Sequence, residues 1–288
     1  MSIIAPDLDT SFALVGDGVV LRGERQGPAD APLVILLHGG GQSRSAWRSA
    51  AGALAKAGLR TVSIDLRGHG HSDWSPDGDY AFGRHIADLV AVIEQLGSEA
   101  VLIGASLGGH VSLLTAVARP DLVRGIVLAD VTPFVDESIA DDLRASLRAG
   151  THGFATLDEA AATLARFGEQ PPRKPSARLR EHLRDGPDGR LYWKWDPRIV
   201  EDRFVRHGGE GGLFATAAER LSVPTLVLRA EYSKITSPAQ LSRFREVSPH
   251  IQVREIAGIG HMLTGDSNRA YTPAILEFLR SLLHESSP

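Results

Sequence analysis

Val101-Leu-Ile-Gly-Ala-Ser-Leu-Gly-Gly109 is the stretch on which the reading of this chain turns. It opens on an apolar run, turns on glycine, presents one serine and turns on glycine again, in the pattern Gly104-Ala105-Ser106-Leu107-Gly108. A buried parallel strand over Ala100 to Ile103 must reverse into a helix over Leu107 to Ala118 within very few residues. Such a reversal needs a strained backbone at the turn and very small neighbours around it. Ser106 is thereby lifted clear of the sheet at the amino end of a helix, where backbone N–H groups point outward. A serine so placed can attack a carbonyl. The competing reading is a glycine-rich turn whose serine merely faces solvent, so the flanking segments have to decide.

Upstream, Leu33-Val-Ile-Leu-Leu37 is a continuous apolar run, as expected of a strand buried on both faces, and it ends in His38-Gly-Gly-Gly41. Ser45 to Ala57 has helical character, with Gly58 as its cap. Arg60 to Ile64 reads as the next strand and delivers Asp65-Leu-Arg-Gly-His-Gly-His-Ser72. Gly83 to Leu96 reads as a helix closed by Gly97. Near the start, residues 11–22 alternate around Gly16-Asp17-Gly18, the signature of a β-hairpin and hence of antiparallel edge strands. Downstream of the serine helix, Arg119-Pro120 stops the helix, and Arg124 to Ala129 is a further buried strand leading to Asp130-Val-Thr-Pro133. Strand and helix alternate throughout. The expected fold class is therefore α/β, a mostly parallel central sheet with helices on both faces.

The alternation breaks between Phe134 and about Glu219. Two helical segments (Glu137 to Arg148, Leu157 to Phe167) precede a proline-rich link, a basic helix over Ser176 to Arg184 and the aromatic stretch Leu191-Tyr-Trp-Lys-Trp-Asp-Pro197. We expect residues 1–133 and 220–288 to form the core domain and residues 134–219 an inserted helical cap. Trp193 and Trp195, two apart, can share a face only on an extended segment. Trp47 and Trp74 follow two loops at the sheet edge and are expected to flank the cleft. The rhythm resumes with a strand over Pro224 to Arg229, a helix over Pro238 to Val247, a strand over Gln252 to Ile256, the loop Gly258-Ile-Gly-His-Met262 and a final helix over Ala270 to Leu283.

Composition bounds the chemistry. The chain has 288 residues, 43% of them apolar and 23% charged, values of a globular protein with ample core material. A net charge of −4 argues for neither nucleic acid nor an anionic membrane as a partner. The absence of cysteine excludes disulfides, a thiol nucleophile and cysteine-ligated metals, and fits a reducing compartment. The first residues lack the basic segment and apolar run of a signal peptide, and no apolar run approaches transmembrane length. The expectation is a cytoplasmic protein.

Four landmarks now stand in order: His38-Gly39 after one strand, Asp65-x-Arg67-Gly68-x-Gly70-x-Ser72 after the next, the Ser106 turn, and Gly260-His261 after the last strand. Together they resemble the α/β-hydrolase fold superfamily over nearly the whole chain. The resemblance is to its serine-hydrolase branch of capped esterases and perhydrolases, since the elbow carries serine and not aspartate. It implies roles residue by residue. Ser106 would be the nucleophile and His261 the base that takes its proton. Leu107 would supply one N–H of the oxyanion hole; the second would come from Gly40, with Gly41 next in order. His38 would support the oxyanion loop, while His69 and His71 would be structural.

The third triad position departs from the family. Where the pattern places an aspartate after the strand Pro224 to Arg229, this chain has Lys234 in Arg229-Ala-Glu-Tyr-Ser-Lys234. A charged lysine cannot accept the histidine's N–H, and a nearby cation disfavours the imidazolium. Asp130, at the end of the strand after the elbow helix, can replace it; Glu231, three residues before Lys234, is the alternative acid. The resemblance implies hydrolysis of a small carboxylic ester with no cofactor and no metal, the partner being a small-molecule ester or related carbonyl compound. A weakened homologue that only binds ligand, a carbon–carbon bond hydrolase and a perhydrolase remain open alternatives.

Overall fold

A computed structural model describes residues 11–134, 136–167, 177–201, 210–233, 235–260 and 267–284. Ten strands alternate with helices in it: β1 (Ser11–Val15), β2 (Val20–Gln26), β3 (Leu33–Leu37), β4 (Arg60–Ile64), β5 (Ala100–Ala105), β6 (Val123–Ala129), β7 (Leu183–Asp185), β8 (Leu191–Trp193), β9 (Thr225–Ala230) and β10 (Gln252–Ile256). Eight of them form one sheet in the order β1-β2-β4-β3-β5-β6-β9-β10. The strands from β4 to β10 run parallel, and β2 pairs antiparallel with both β1 and β4. The mostly parallel sheet read from the sequence is thus present, with the hairpin 11–26 as its antiparallel margin.

The alternation of side chains divides β3 between two apolar layers, as a strand with both faces covered must. Leu33, Ile35 and Leu37 join the layer beneath α2 (Phe82–Leu96) and α3 (Leu107–Ala118). Val34 and Leu36 join the layer beneath α1 (Arg48–Lys56) and the last helix (Thr272–His284). Trp47 lies fully buried in this second layer, so it supports the core and does not flank a cleft. The order β4-β3-β5 places successive connections on opposite sides of β3. The carboxyl ends of β3 and β5 therefore diverge into a crevice, the position at which open parallel sheets bind ligands.

Between β6 and β9 lie α4 (Glu137–Ala149), α5 (Leu157–Phe167), α6 (Ala177–Glu181) and the antiparallel pair β7–β8. This segment has its own apolar cluster of Phe154, Ala160, Leu179, Leu183, Trp193, Trp195 and Val200. The helix expected over Ser176–Arg184 is corrected: it spans only Ala177–Glu181, and Arg184 stands in a strand. The cause is the turn Gly186-Pro-Asp-Gly189, closed by Gly186 N–H donating to Arg190 O at 2.8 Å, with Gly189 at φ +77°. Trp193 and Trp195 lie on the extended chain that follows and both turn inward. The segment is stitched to the sheet by Gly70 N–H on Lys194 O (2.7 Å) and Asp196 N–H on Gly68 O (2.8 Å). The Tyr80 hydroxyl donates to Asp196 at 2.5 Å, and Arg198 pairs with the same carboxylate at 2.6 Å.

A second buried pair fixes the other margin. Arg67 donates through Nε and Nη2 to both oxygens of Asp88 (2.7 and 2.8 Å), and Asp88 also accepts the Asp17 N–H at 2.7 Å. Both side chains are almost wholly buried. Removing one member strands the other charge, which costs about 3–5 kcal/mol. Arg67→Met should lower the urea-unfolding free energy by about that amount, and Arg67→Met/Asp88→Leu should recover most of the loss.

Candidate active site

Ser106 occupies φ 46°, ψ −116°, a conformation that L-residues rarely adopt. It and Asp130 (φ 51°) are the two non-glycine residues with positive φ among those described. The surrounding glycines explain how the strain at Ser106 persists. A Cβ on Gly104 would lie 2.2 Å from Gly108 O, and one on Gly108 would lie 2.4 Å from Leu37 O and 2.7 Å from His38 O. The Gly108 N–H donates to His38 O at 3.1 Å. The end of β5, the start of α3 and the end of β3 thus touch backbone to backbone. A strained residue of this kind costs about 1–3 kcal/mol and survives only where the surroundings over-determine it.

The His38-Gly-Gly-Gly41 loop borders Ser106: a Cβ on Gly39 would lie 3.4 Å from Ser106 Cβ. Its donors are allotted. Gly39 N–H donates to Gln42 Oε1 at 3.0 Å and Gly41 N–H to His69 Nε2 at 3.1 Å. Gly40 N–H makes no hydrogen bond among the described residues, and a Cβ there would meet nothing within 4 Å. Across the crevice, Leu107 N–H is likewise uncommitted, as the first amide of a helix is expected to be.

Two buried histidines hold this loop. His38 Nδ1–H donates to Gly39 O at 2.8 Å, while its Nε2 accepts Leu66 N–H at 3.0 Å. His69 Nδ1–H donates to Arg67 O at 3.0 Å and its Nε2 accepts from Gly41. Backbone partners therefore fix both tautomers. Burial pushes both rings down, His69 to about 3, with the neighbouring His38 adding to the effect. Asp65 completes the support. It accepts the backbone N–H of Arg44 (2.7 Å) and of His71 (2.9 Å) and pairs with the Arg44 guanidinium. Burial alone would raise its carboxyl, but hydrogen bonding to His71 and the Arg44 charge hold it well below the usual range.

Sheet register sets the remaining groups. Ala105 pairs with Ala129, and Ala129 with Leu228. Ser106 and Asp130 are therefore the first residues past the ends of neighbouring strands. Asp130 is buried and its carboxylate accepts Ala230 N–H at 3.3 Å. Glu231 is committed differently: its carboxylate accepts Gly258 N–H at 2.7 Å and its own N–H donates to Ile256 O. It clasps the loop after β10. His261 and Lys234 lie outside the described residues. Ser233, beside Lys234, caps its own turn by accepting the N–H groups of Ile235 (3.1 Å) and Thr236 (3.2 Å).

Two further residues gather here without a sequence signal. Tyr271 is buried, its hydroxyl has no hydrogen-bond partner among the described residues, and burial with the Asp130 charge pushes its phenol up. His110 stacks on Phe214 with ring centroids 4.0 Å apart and donates from Nε2 to Thr132 O at 3.1 Å, tying α3 to the loop that carries Asp130. No group of three His, Cys, Asp or Glu among the described residues could hold a metal ion. No helix among them is long and apolar enough to cross a membrane.

Fold and site together define an α/β protein that presents a strained serine at the crevice of a parallel sheet. The profile of the alpha/beta hydrolase fold family matches residues 32–266, and the chain belongs to that family. It is 30% identical over 264 residues to Esterase Rv0045c of Mycobacterium tuberculosis, covering 88% of this chain and 83% of the relative. It is 27% identical over 272 residues to the sn-1-specific diacylglycerol lipase ABHD11 of Mus musculus, covering 88% and 82%. The crystal structure of E-2-(acetamidomethylene)succinate hydrolase superposes with a TM-score of 0.81 at 27% identity, covering 94% of this chain and 98% of that one. These relatives are hydrolases, which supports hydrolase activity in this chain.

The buried histidines have a consequence for stability. Burial lowers His69 and His85 to about 3 and His110 to about 4, so the folded protein excludes protons that the unfolded chain binds below about 6.5. Stability is then fully present above pH 6.5 and falls as pH drops toward 4. Each ring contributes up to about 1.4 kcal/mol per pH unit in that window. Urea titrations from pH 4.5 to 6.5 should show this slope, and His85→Leu should reduce it by about one ring's share.

Proposed function

We propose that this chain is a serine hydrolase that cleaves a small carboxylic ester through an acyl-enzyme on Ser106. The observation that carries the proposal is the pairing of a strained Ser106 with two uncommitted amides, Gly40 N–H and Leu107 N–H, on either side of it. Ser106 Oγ attacks the ester carbonyl carbon while His261 takes its proton. The carbonyl oxygen becomes an oxyanion and accepts from Gly40 and Leu107. Collapse of the tetrahedral intermediate breaks the bond to the alcohol, which leaves with the proton from His261. Water, deprotonated by His261, then attacks the acyl carbon, and Ser106 regains its proton as the acid departs.

Asp130 is our assignment for the acid that orients His261. Its support is its register position beside Ser106, its burial, and the commitment of Glu231 to Gly258 N–H. The acid so assigned precedes the histidine in the chain order serine, acid, histidine. The segment 134–219 would act as a cap that limits the ester to a small one. The sequence reading that Lys234 leaves a binding-only homologue has no comparable support, because it requires that the site hold no other acid.

Hydrolysis of p-nitrophenyl butyrate by a set of variants tests this assignment. Ser106→Ala and His261→Ala should fall to the buffer rate. Asp130→Asn should lose on the order of 10⁴-fold in kcat, as loss of a triad acid does elsewhere. Glu231→Gln should stay within about tenfold and Lys234→Asp within about threefold of the parent. A gain of orders of magnitude in Lys234→Asp would show instead that the acid position is vacant in this chain.

A further inference from the structure

The indole of Trp195 is only 4% exposed, and its Nε1–H is buried with no hydrogen-bond partner among the described residues. A buried tryptophan N–H ordinarily finds an acceptor, and an indole can only donate. Its position is informative. A Cβ on Gly41 would lie 3.7 Å from Trp195 Nε1, so the N–H edge stands against the glycine loop one residue beyond Gly40. Gly41 N–H is not available as a second donor to an incoming oxygen, because it already donates to His69 Nε2 at 3.1 Å. Leu147 closes the other flank of Gly41.

The backbone that carries the indole is tied down on both sides. Trp195 forms a β-bridge with His69, the same residue that holds Gly41. On either side of it, Lys194 O accepts Gly70 N–H at 2.7 Å, and Asp196 N–H donates to Gly68 O at 2.8 Å. Asp196 is locked in turn by Tyr80 and Arg198. A donor carried on backbone held by this many contacts, buried and without an acceptor among the described residues, is suited to an atom that arrives from outside the chain.

We propose that Trp195 Nε1–H is a substrate-binding donor, and that the acyl chain of the substrate carries a second acceptor oxygen, a ketone or carboxylate, a few bonds from the scissile carbonyl. The proposal rests on the hydrolase reading of Ser106. It deepens that reading by naming the substrate class: oxo-acyl or dicarboxylic half-esters, in preference to plain alkanoyl esters. The donor does not enter the chemical step. It fixes the acyl chain along the Gly39–Gly41 loop, so it acts on substrate choice.

The test compares p-nitrophenyl esters of hexanoic, 4-oxohexanoic, 5-oxohexanoic and succinic acid. The parent should prefer at least one oxygenated ester over hexanoate by about tenfold or more in kcat/KM. Trp195→Phe keeps an aromatic ring, loses the N–H and leaves a small cavity in its cluster, so the thermal melt should fall modestly. The readout is the ratio of oxygenated ester to hexanoate, which should come close to one. Binding of the four free acids, measured by calorimetry, reads the donor without turnover and should lose the same preference in Trp195→Phe. If no oxygenated ester or acid exceeds hexanoate in the parent, or if Trp195→Phe lowers all four alike, the donor assignment is overturned while hydrolysis stands. If none of the esters is hydrolysed yet an oxygenated acid binds preferentially through Trp195, the hydrolase reading fails and the donor assignment stands.

Discussion

The carbonyl oxygens of Leu37 and His38 stand where a side chain on Gly108 would begin, and the Gly108 N–H bonds to the second of them. This backbone contact between the end of one strand and the start of a helix on its neighbour is what the site depends on. It forces the chain through the Ser106 conformation, which no single local preference would choose. It also brings the His38–Gly41 loop alongside the serine, because the residue that accepts from Gly108 is the residue that begins the loop. A larger residue at Gly104 or Gly108 would separate strand, helix and loop at once.

The loop beside the serine is rigid despite its three glycines. His38, His69 and Asp65 each make two or more hydrogen bonds to backbone around it, and each ring accepts a backbone N–H at Nε2, as only a neutral imidazole can. The effect is an allotment of donors. Gly39 and Gly41 are consumed by Gln42 and His69, and Gly40 is left facing open space. Oxyanion stabilisation works through donors that need no reorganisation when charge develops. In the proposed reading Gly40 is that donor, and a loop braced in this way would present it without adding a fixed charge to the site.

Much of this was legible in the sequence, for identifiable reasons. Leu33–Leu37 and Arg60–Ile64 were readable because parallel strands buried on both faces give unbroken apolar runs, and Leu107–Ala118 because a glycine turn opens it and Arg119-Pro120 closes it. The hairpin Leu183–Trp193 escaped because three-residue strands carry no periodicity, although Gly186-Pro-Asp-Gly189 marked its turn. Trp47 was misplaced because a tryptophan after an edge loop looks the same whether it faces a cleft or the core. What distinguishes Gly41 from Gly40 could not be read locally, since the His69 ring that takes the Gly41 N–H lies 28 positions away in the chain. The proximity of Trp195 to that same loop had no sequence signal, since it depends on how the inserted segment folds back over the sheet.

Whether Ser106 is the nucleophile of a working site decides the proposed function. Treatment with a fluorophosphonate, followed by intact mass and peptide mapping, tests it most directly, because the reagent needs both an activated serine and an oxyanion hole and is indifferent to the natural substrate. A single adduct is expected, mapped to Ser106, formed within minutes at neutral pH and absent from Ser106→Ala. A folded protein that remains unlabelled, or one labelled at another serine, would contradict it.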